Sequence, residues 1–199
     1  MTDNKKRGSF LKEVISFFET LLITFFVFML VFTYIINVTT VRGSSMEDTL
    51  KPGDKLIVSM PVRHPSPGDI VIAEAYDAVT LDDNGNPVYD TGIRKTIVKR
   101  VIAVGGQSLD IDFERGSVCV DGVMLDEDYL TKGLTHLDSG AFTGQYPITI
   151  PDGYVFVMGD NRNVSKDSRS SEVGLIPLSS ITGKAVIRIY PFSSFGAVD

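Results

Sequence analysis

The chain has 199 residues, of which 22% are charged and 43% hydrophobic, with a net charge of −6 and a single cysteine, Cys119. This composition describes a globular domain with an appendage, and it excludes a disordered chain, an intrachain disulfide and a cysteine-rich zinc site. Residues 1–13 carry +2, leaving −8 on the rest, a balance that argues against nucleic acid as partner because phosphate binding needs Lys and Arg in excess.

The first element is apolar. Residues 14–38 contain no charge except Glu19. As a helix this stretch is about 37 Å long, enough to cross a hydrocarbon core of about 30 Å with some tilt. A cleaved signal peptide has a shorter apolar core of about 7–15 residues, so an uncleaved signal-anchor helix in the lipid bilayer is expected. Lys5, Lys6, Arg7 and Lys12 precede it and only Arg42 closely follows. By the positive-inside rule, residues 1–13 are then cytoplasmic and residues 39–199 extracytoplasmic, in a single-pass protein of the cell membrane.

After Thr40 the texture becomes that of strands. Val/Ile-rich runs recur at 55–58, 69–73, 96–104, 117–120, 154–158 and 185–190. Pro52-Gly53-Asp54 and Pro67-Gly68-Asp69 stand before two of them. Asp121-Gly122 is a two-residue hairpin signal, and residues 82–86 read as a hairpin tip between arms at 73–80 and 88–96. No helix-period segment of useful length follows the anchor. The expected fold is mostly β: an antiparallel, strongly twisted β domain on a single N-terminal transmembrane helix, starting within a few residues of the membrane.

Three clusters carry possible chemistry. Gly43-Ser44-Ser45-Met46 follows the anchor, and a Gly before a Ser permits a turn that aims the hydroxyl outward; a polar linker reads the same way. Neither His64, in a Pro-rich loop, nor His136, in a Gly- and Thr-rich stretch, has the setting of a general base. A lysine can replace histidine if it is neutral, which requires its pKa to fall from about 10.4 to about 7–8, roughly 4 kcal/mol of desolvation and neighbour effects. Lys99 has apolar company in Ile97, Val98 and residues 101–104; strand alternation requires that either Lys99 or Arg100 point inward. The third cluster, residues 159–169, is polar apart from Val164. It is either a solvated loop or one whose shape is fixed by an Asp167–Arg169 pair. The carboxylates of Asp82, Asp83, Asp126, Glu127 and Asp128 read as solvated charge. No metal and no cofactor is indicated.

In this order after one anchor, the clusters resemble the type I signal peptidases of bacteria. Gly43-Ser44-Ser45-Met46 with Thr49-Leu50 is similar to that family's nucleophile box. Residues 67–71 and 99–106 resemble its strand motif and its general-base box, and Gly159-Asp160-Asn161-Arg162 with Ser165 and residues 167–169 resembles its last and most specific box. The resemblance implies a Ser–Lys serine peptidase that cleaves signal peptides from secretory preproteins. Ser45 is then the nucleophile and Lys99 the general base. Ser165 would hydrogen-bond and orient the lysine amine, and Asp167 and Arg169 would form a supporting pair. Met46 and Val98 would shape apolar pockets for small residues at the cut. The oxyanion would be held by the Ser45 N–H; Gly43 stands where some members have a second, hydroxyl donor. Asp48 replaces a usual Pro, Gly105-Gly106-Gln107 a common Pro-Gly-Asp turn, and Val164 a frequent Asn. Two other readings are a Ser–Lys peptidase processing itself or a dedicated partner, and a membrane-anchored β module that binds proteins without catalysis.

Overall fold

A computed structural model describes residues 3–47, 49–60, 62, 64–131 and 133–198, with side chains from Lys12 onward. The replacement at Asp48 and the charged groups of Lys5, Lys6 and Arg7 lie outside the described residues and side chains. The chain divides into two compact units, the first ending at Asn37 and the second running from Val38.

The first unit is a helix, α1, Asp3–Tyr34. Its segment Lys12–Tyr34, 23 residues long, has the length and apolarity to cross a membrane, about 34 Å at 1.5 Å per residue. Phe17, Leu22, Phe25 and Phe26 are among the large apolar side chains it leaves exposed, as a helix solvated by lipid would. The helix ends four residues before the expected boundary at 38, because β1 (Ile36–Thr40) already begins there. The β-branched residues Ile36, Val38, Thr39 and Thr40 favour the extended chain.

From β1 on, the chain is antiparallel sheet, as expected. The strands are β2 (Lys55–Ser59), β3 (Ile70–Leu81), β4 (Pro87–Val104), β5 (Ser108–Asp112), β6 (Ser117–Val120), β7 (Val123–Met124), β8 (Ile148–Thr149), β9 (Tyr154–Met158), β10 (Ile176–Pro177), β11 (Ile181–Tyr190) and β12 (Gly196–Ala197). Among the described residues, the larger sheet runs β1-β2-β11-β3-β4-β9-β10 with β12 beside β11, and a smaller one runs β7-β6-β5-β8. The runs expected at 69–73 and 73–80 are one strand, β3. It forms with β4 a long hairpin closed by residues 82–86, whose turn is pinned by Asp82 Oδ1 accepting the N–H groups of Asn84 and Asn86 at 2.8 Å each. Asp121 and Gly122, both at positive φ, make the two-residue connection from β6 to β7.

Alternation along the strands sends side chains to two apolar clusters and the first turn of the domain to a third. Phe142, Phe156, Leu109 and Ile150 lie between the small sheet and β9. Val71, Val101, Val157 and Ile176 back the large sheet. Val41, Met46, Leu50, Leu56 and Ile70 lock residues 41–50 onto β2 and β3. Each such side chain contributes about 1.5–3 kcal/mol on burial. The third cluster positions the turn that carries Ser45, because Met46 and Leu50 are 1% and 0% exposed.

Candidate active site

Ser45 sits in the turn that follows Gly43, whose φ of +79° is a left-handed value that only glycine adopts without strain. One helical turn follows, closed by the N–H groups of Thr49 and Leu50 donating to Met46 O. Ser44 and Ser45 are tied down from outside: Asn161 Nδ2 donates to Ser44 O at 3.1 Å and Asn161 N–H to Ser45 O at 3.0 Å. The Ser45 N–H has no acceptor among the described residues.

Lys99 lies on β4 opposite Val71 of β3. Its Nζ is 2.7 Å from Ser45 Oγ and 3.0 Å from Val98 O, and the residue is 3% exposed. Burial pushes the amine down from 10.5 to about 8, against the opposing pull of the Asp167 and Asp160 carboxylates. Arg100, next on the strand, is also 3% exposed. The requirement that either Lys99 or Arg100 point inward is met by both. At this point β4 is paired on both edges, with Ile70 and Met158 opposite Arg100. Covering structure lies on both faces, so alternation separates the two side chains without exposing either. Arg100 makes a two-pronged pair with Asp160, at 2.9 and 2.8 Å, donates to Gly68 O at 2.9 Å, and stacks 4.0 Å above the Tyr129 ring.

Residues 159–169 are not a solvated loop. Asp160, Arg162, Asp167 and Arg169 are 0–1% exposed. The expected Asp167–Arg169 pair is present with two bonds of 2.9 and 2.8 Å, and Asp167 also accepts the Gly159 N–H at 3.0 Å. Burial alone would raise the Asp167 carboxyl, but the Arg169 guanidinium and the Gly159 N–H hold it below the usual carboxylate range. Arg169 further donates to Leu137 O and Arg162 O. Glu127, expected in solvent, instead pairs with buried Arg162 at 3.0 and 2.5 Å; such a charge is kept inside only with a partner. Ser165 is buried, and its Oγ lies near the Asp167 carboxylate without a well-formed hydrogen bond to any described group. The expected Ser165–Lys99 bond is therefore absent in this state.

Gly159 explains why this loop follows β9 so tightly. A Cβ there would stand 2.2 Å from Ser165 Oγ and 2.4 Å from Ser45 O, closer than atoms can approach. Together with Arg100, Asp160, Asn161, Arg162 and Glu127, it belongs to a supporting set whose individual roles sequence reading missed. Charged residues within a β-run and a polar loop directly after an apolar strand were the available signals. They distinguish burial from solvation only when the partners are known.

The Ser45–Lys99 pair opens into a cleft of about 750 Å³. It is lined by residues 38–43, Ser45 and Met46, by residues 95–99 of β4 and by Ile72 of β3, so Met46 and Val98 are both in the lining. His64 and His136 are exposed and away from it. Chemically, a hydroxyl held at hydrogen-bond distance from a desolvated amine, with an unused N–H beside it, is equipped for acyl transfer through a serine.

That class of centre agrees with what the chain is similar to. Residues 14–190 match the family described as signal peptidase, peptidase S26. A signal peptidase IB of Staphylococcus aureus (strain COL) is 32% identical over 195 residues, covering 92% of this chain and 93% of the relative. A probable signal peptidase I-1 of Synechocystis sp. is 35% identical over 162 residues, covering 78% and 72%. A crystal structure of a signal peptidase I from Enterococcus faecalis V583 shares 24% identity, with a TM-score of 0.42, and covers 62% of this chain and 98% of that one. The chain belongs to the S26 family of serine peptidases and, within it, to the bacterial type I signal peptidases.

Proposed function

We propose that this protein cleaves N-terminal signal peptides from exported preproteins, with Ser45 as nucleophile and Lys99 as general base. The observation that carries this reading is the 2.7 Å separation of Ser45 Oγ from the Nζ of a buried Lys99. The neutral amine accepts the hydroxyl proton as Oγ attacks the scissile carbonyl. The oxyanion forms against the Ser45 N–H, and Gly43 supplies no second, hydroxyl donor. The protonated amine then delivers its proton to the leaving amine, and water, deprotonated by the same lysine, hydrolyses the acyl-enzyme.

Ser165 supplies the buried hydroxyl that receives the lysine once it is charged. Asp167 with Arg169, and Asp160 with Arg100, hold the surrounding backbone. Met46 and Val98 shape the cleft for small side chains at the cut. α1 anchors the protein in the cell membrane with residues 1–13 in the cytoplasm and the residues from 39 on outside. An anchored enzyme meets an anchored precursor by a search in two dimensions.

The test uses the purified full chain in detergent with a secretory precursor. Ser45→Ala and Lys99→Ala should each lower cleavage by at least about a thousandfold with an unchanged circular dichroism spectrum. Cleavage retained by either variant would remove the assignment.

A further inference from the structure

We propose that Tyr129 is a positioning residue for the Ser45–Lys99 pair: its ring holds the Arg100 guanidinium on Asp160 and keeps water from that charge pair. The inference rests on the reading of Lys99 as general base and adds to it a residue outside the three motif clusters.

Arg100 adjoins Lys99 on β4, and Asp160 adjoins Asn161, whose N–H donates to Ser45 O. The Arg100–Asp160 pair is therefore next in the chain to the residues that set each half of the site. The Arg100 donors are directed at Asp160 Oδ1 and Oδ2, Thr49 Oγ1 and Gly68 O. Bonds in the plane of a guanidinium leave its faces to be covered. Tyr129 covers one, with Arg100 Cζ 4.0 Å from its ring centroid. Tyr129 is itself half-buried, whereas Arg100 and Asp160 are 3% and 0% exposed, the arrangement of a ring that caps a buried charge pair. The ring is fixed at its other end. Its O–H donates to Glu127 Oε1 at 2.8 Å, and Glu127 accepts two bonds from Arg162, whose Cζ is 5.9 Å from the same ring. Burial raises the phenol above its usual range, and the Glu127 carboxylate adds to this, so the ring stays neutral and attracts cations through its face. Arg162 in turn donates to Gly159 O at 3.1 Å.

The consequence for catalysis is electrostatic. The charged groups acting on Lys99 come from the loop after β9: Asp167 and Asp160 raise its proton affinity, and Arg169 lowers it. The Ser45 turn presents a neutral hydroxyl, and Val71 of β3 lies opposite. Asp167 is balanced by Arg169, and Asp160 by Arg100. If the Arg100 guanidinium moves off Asp160 or is wetted, the Asp160 carboxylate acts on Lys99 with less compensation. The amine is then charged over more of the neutral range, where it cannot accept a proton. Tyr129 is not among the residues lining the cleft beside Ser45, so its removal leaves the substrate's contacts in place.

The experiment uses the full chain in detergent with a secretory precursor. Tyr129→Leu removes the ring, and the conservative Tyr129→Phe removes only the hydroxyl. Tyr129→Leu should lower kcat about fivefold at about pH 7 and by less than about twofold at about pH 9.5, with KM unchanged, as an acidic limb displaced upward by about 0.7 pH unit requires. Tyr129→Phe should stay within about twofold of the parent at both pH values. A residue that served only the fold would lower the rate alike at both pH values; that result, or a Tyr129→Leu profile equal to the parent's, overturns the proposal. So does a Tyr129→Phe limb displaced as far as that of Tyr129→Leu, which assigns the role to the hydroxyl. If Tyr129→Leu does not fold, pentafluorophenylalanine at position 129 keeps the ring's shape and reverses its quadrupole. It should displace the acidic limb upward relative to Tyr129→Phe, and coincident limbs overturn the proposal. Failure of the general-base reading is a separate result, seen as cleavage by Lys99→Ala.

Discussion

At the residue scale the proposed mechanism turns on the charge on Lys99. A serine hydroxyl can be deprotonated only by the free amine, so kcat/KM should climb about tenfold per pH unit at acidic pH and level off above about 8, where burial has set the amine. A pH–rate profile that is flat between 6 and 8 would sink this account. The same displacement has a stability consequence. Lowering the pKa from 10.5 to about 8 corresponds to about 3 kcal/mol against the charged folded form. Between those two values the unfolded chain holds the proton and the folded one does not, so stability rises with pH across that window, and below it the full penalty remains. Replacing Lys99 with Met should therefore raise Tm at pH 7 by about 6–12 °C while abolishing cleavage, with the gain shrinking toward pH 10.5. Thermal melts at the two pH values measure it. Ser165 is expected to behave in the same direction. Its buried hydroxyl makes no well-formed hydrogen bond, so Ser165→Ala should not destabilise the fold, yet it should lower kcat about tenfold and shift the acidic limb of the pH profile if the hydroxyl receives the charged lysine.

At the scale of elements, the loop 159–169 is the piece that joins β4 and the Ser45 turn into one site. Asn161 holds Ser44 and Ser45 through their carbonyls, Asp160 reaches Arg100 and Thr49 Oγ1, and Asp167 closes the loop on Gly159. Its polar sequence resembles that of a surface loop. The difference is that each buried charge has a designated partner, and a partner distant in sequence cannot be read from local pattern. Gly159→Ala should eliminate activity, because the added carbon meets the Ser45 carbonyl and the Ser165 hydroxyl at impossible distances. Asp160→Asn should cost about 3–5 kcal/mol, the expense of leaving the buried Arg100 guanidinium without its counter-charge, and is measured by urea unfolding. Cleavage in Asp160→Asn should fall as well, since Arg100 adjoins Lys99. The strands themselves were largely legible: β2, β6 and β9 follow the Val/Ile runs, and the Asp121-Gly122 turn connects the strands expected. β1, β5, β8, β10 and β12 were not anticipated. β8, β10 and β12 are two-residue strands that exist only through pairing with a longer neighbour.

At the scale of the whole molecule, the two units divide the work. The unit from Val38 has its own apolar clusters and paired sheet, so a chain of residues 35–199 should fold alone and cleave a soluble peptide, which a circular dichroism melt and a peptide assay would check. Its rate on precursors embedded in vesicles should fall relative to the full chain, because the anchoring proposed for α1 would no longer confine it to the bilayer. Equal rates for the two proteins on embedded precursors would contradict the role given to α1.

What the sequence by itself determined was the long apolar helix, the antiparallel β character of the rest, and the candidate nucleophile and base, because each depends on local periodicity, turn chemistry or a short contiguous motif. The tertiary structure decided which charges are buried. Ser45 and Lys99 lie 54 positions apart and Arg100 and Asp160 lie 60 apart, and pairs so separated meet only through the packing of β3, β4 and β9. Desolvation belongs to that packing and not to any residue in isolation. For this reason the amine's lowered proton affinity, the inward turn of both Lys99 and Arg100, the Glu127–Arg162 pair and the poorly bonded Ser165 hydroxyl emerge only once the strands stand side by side.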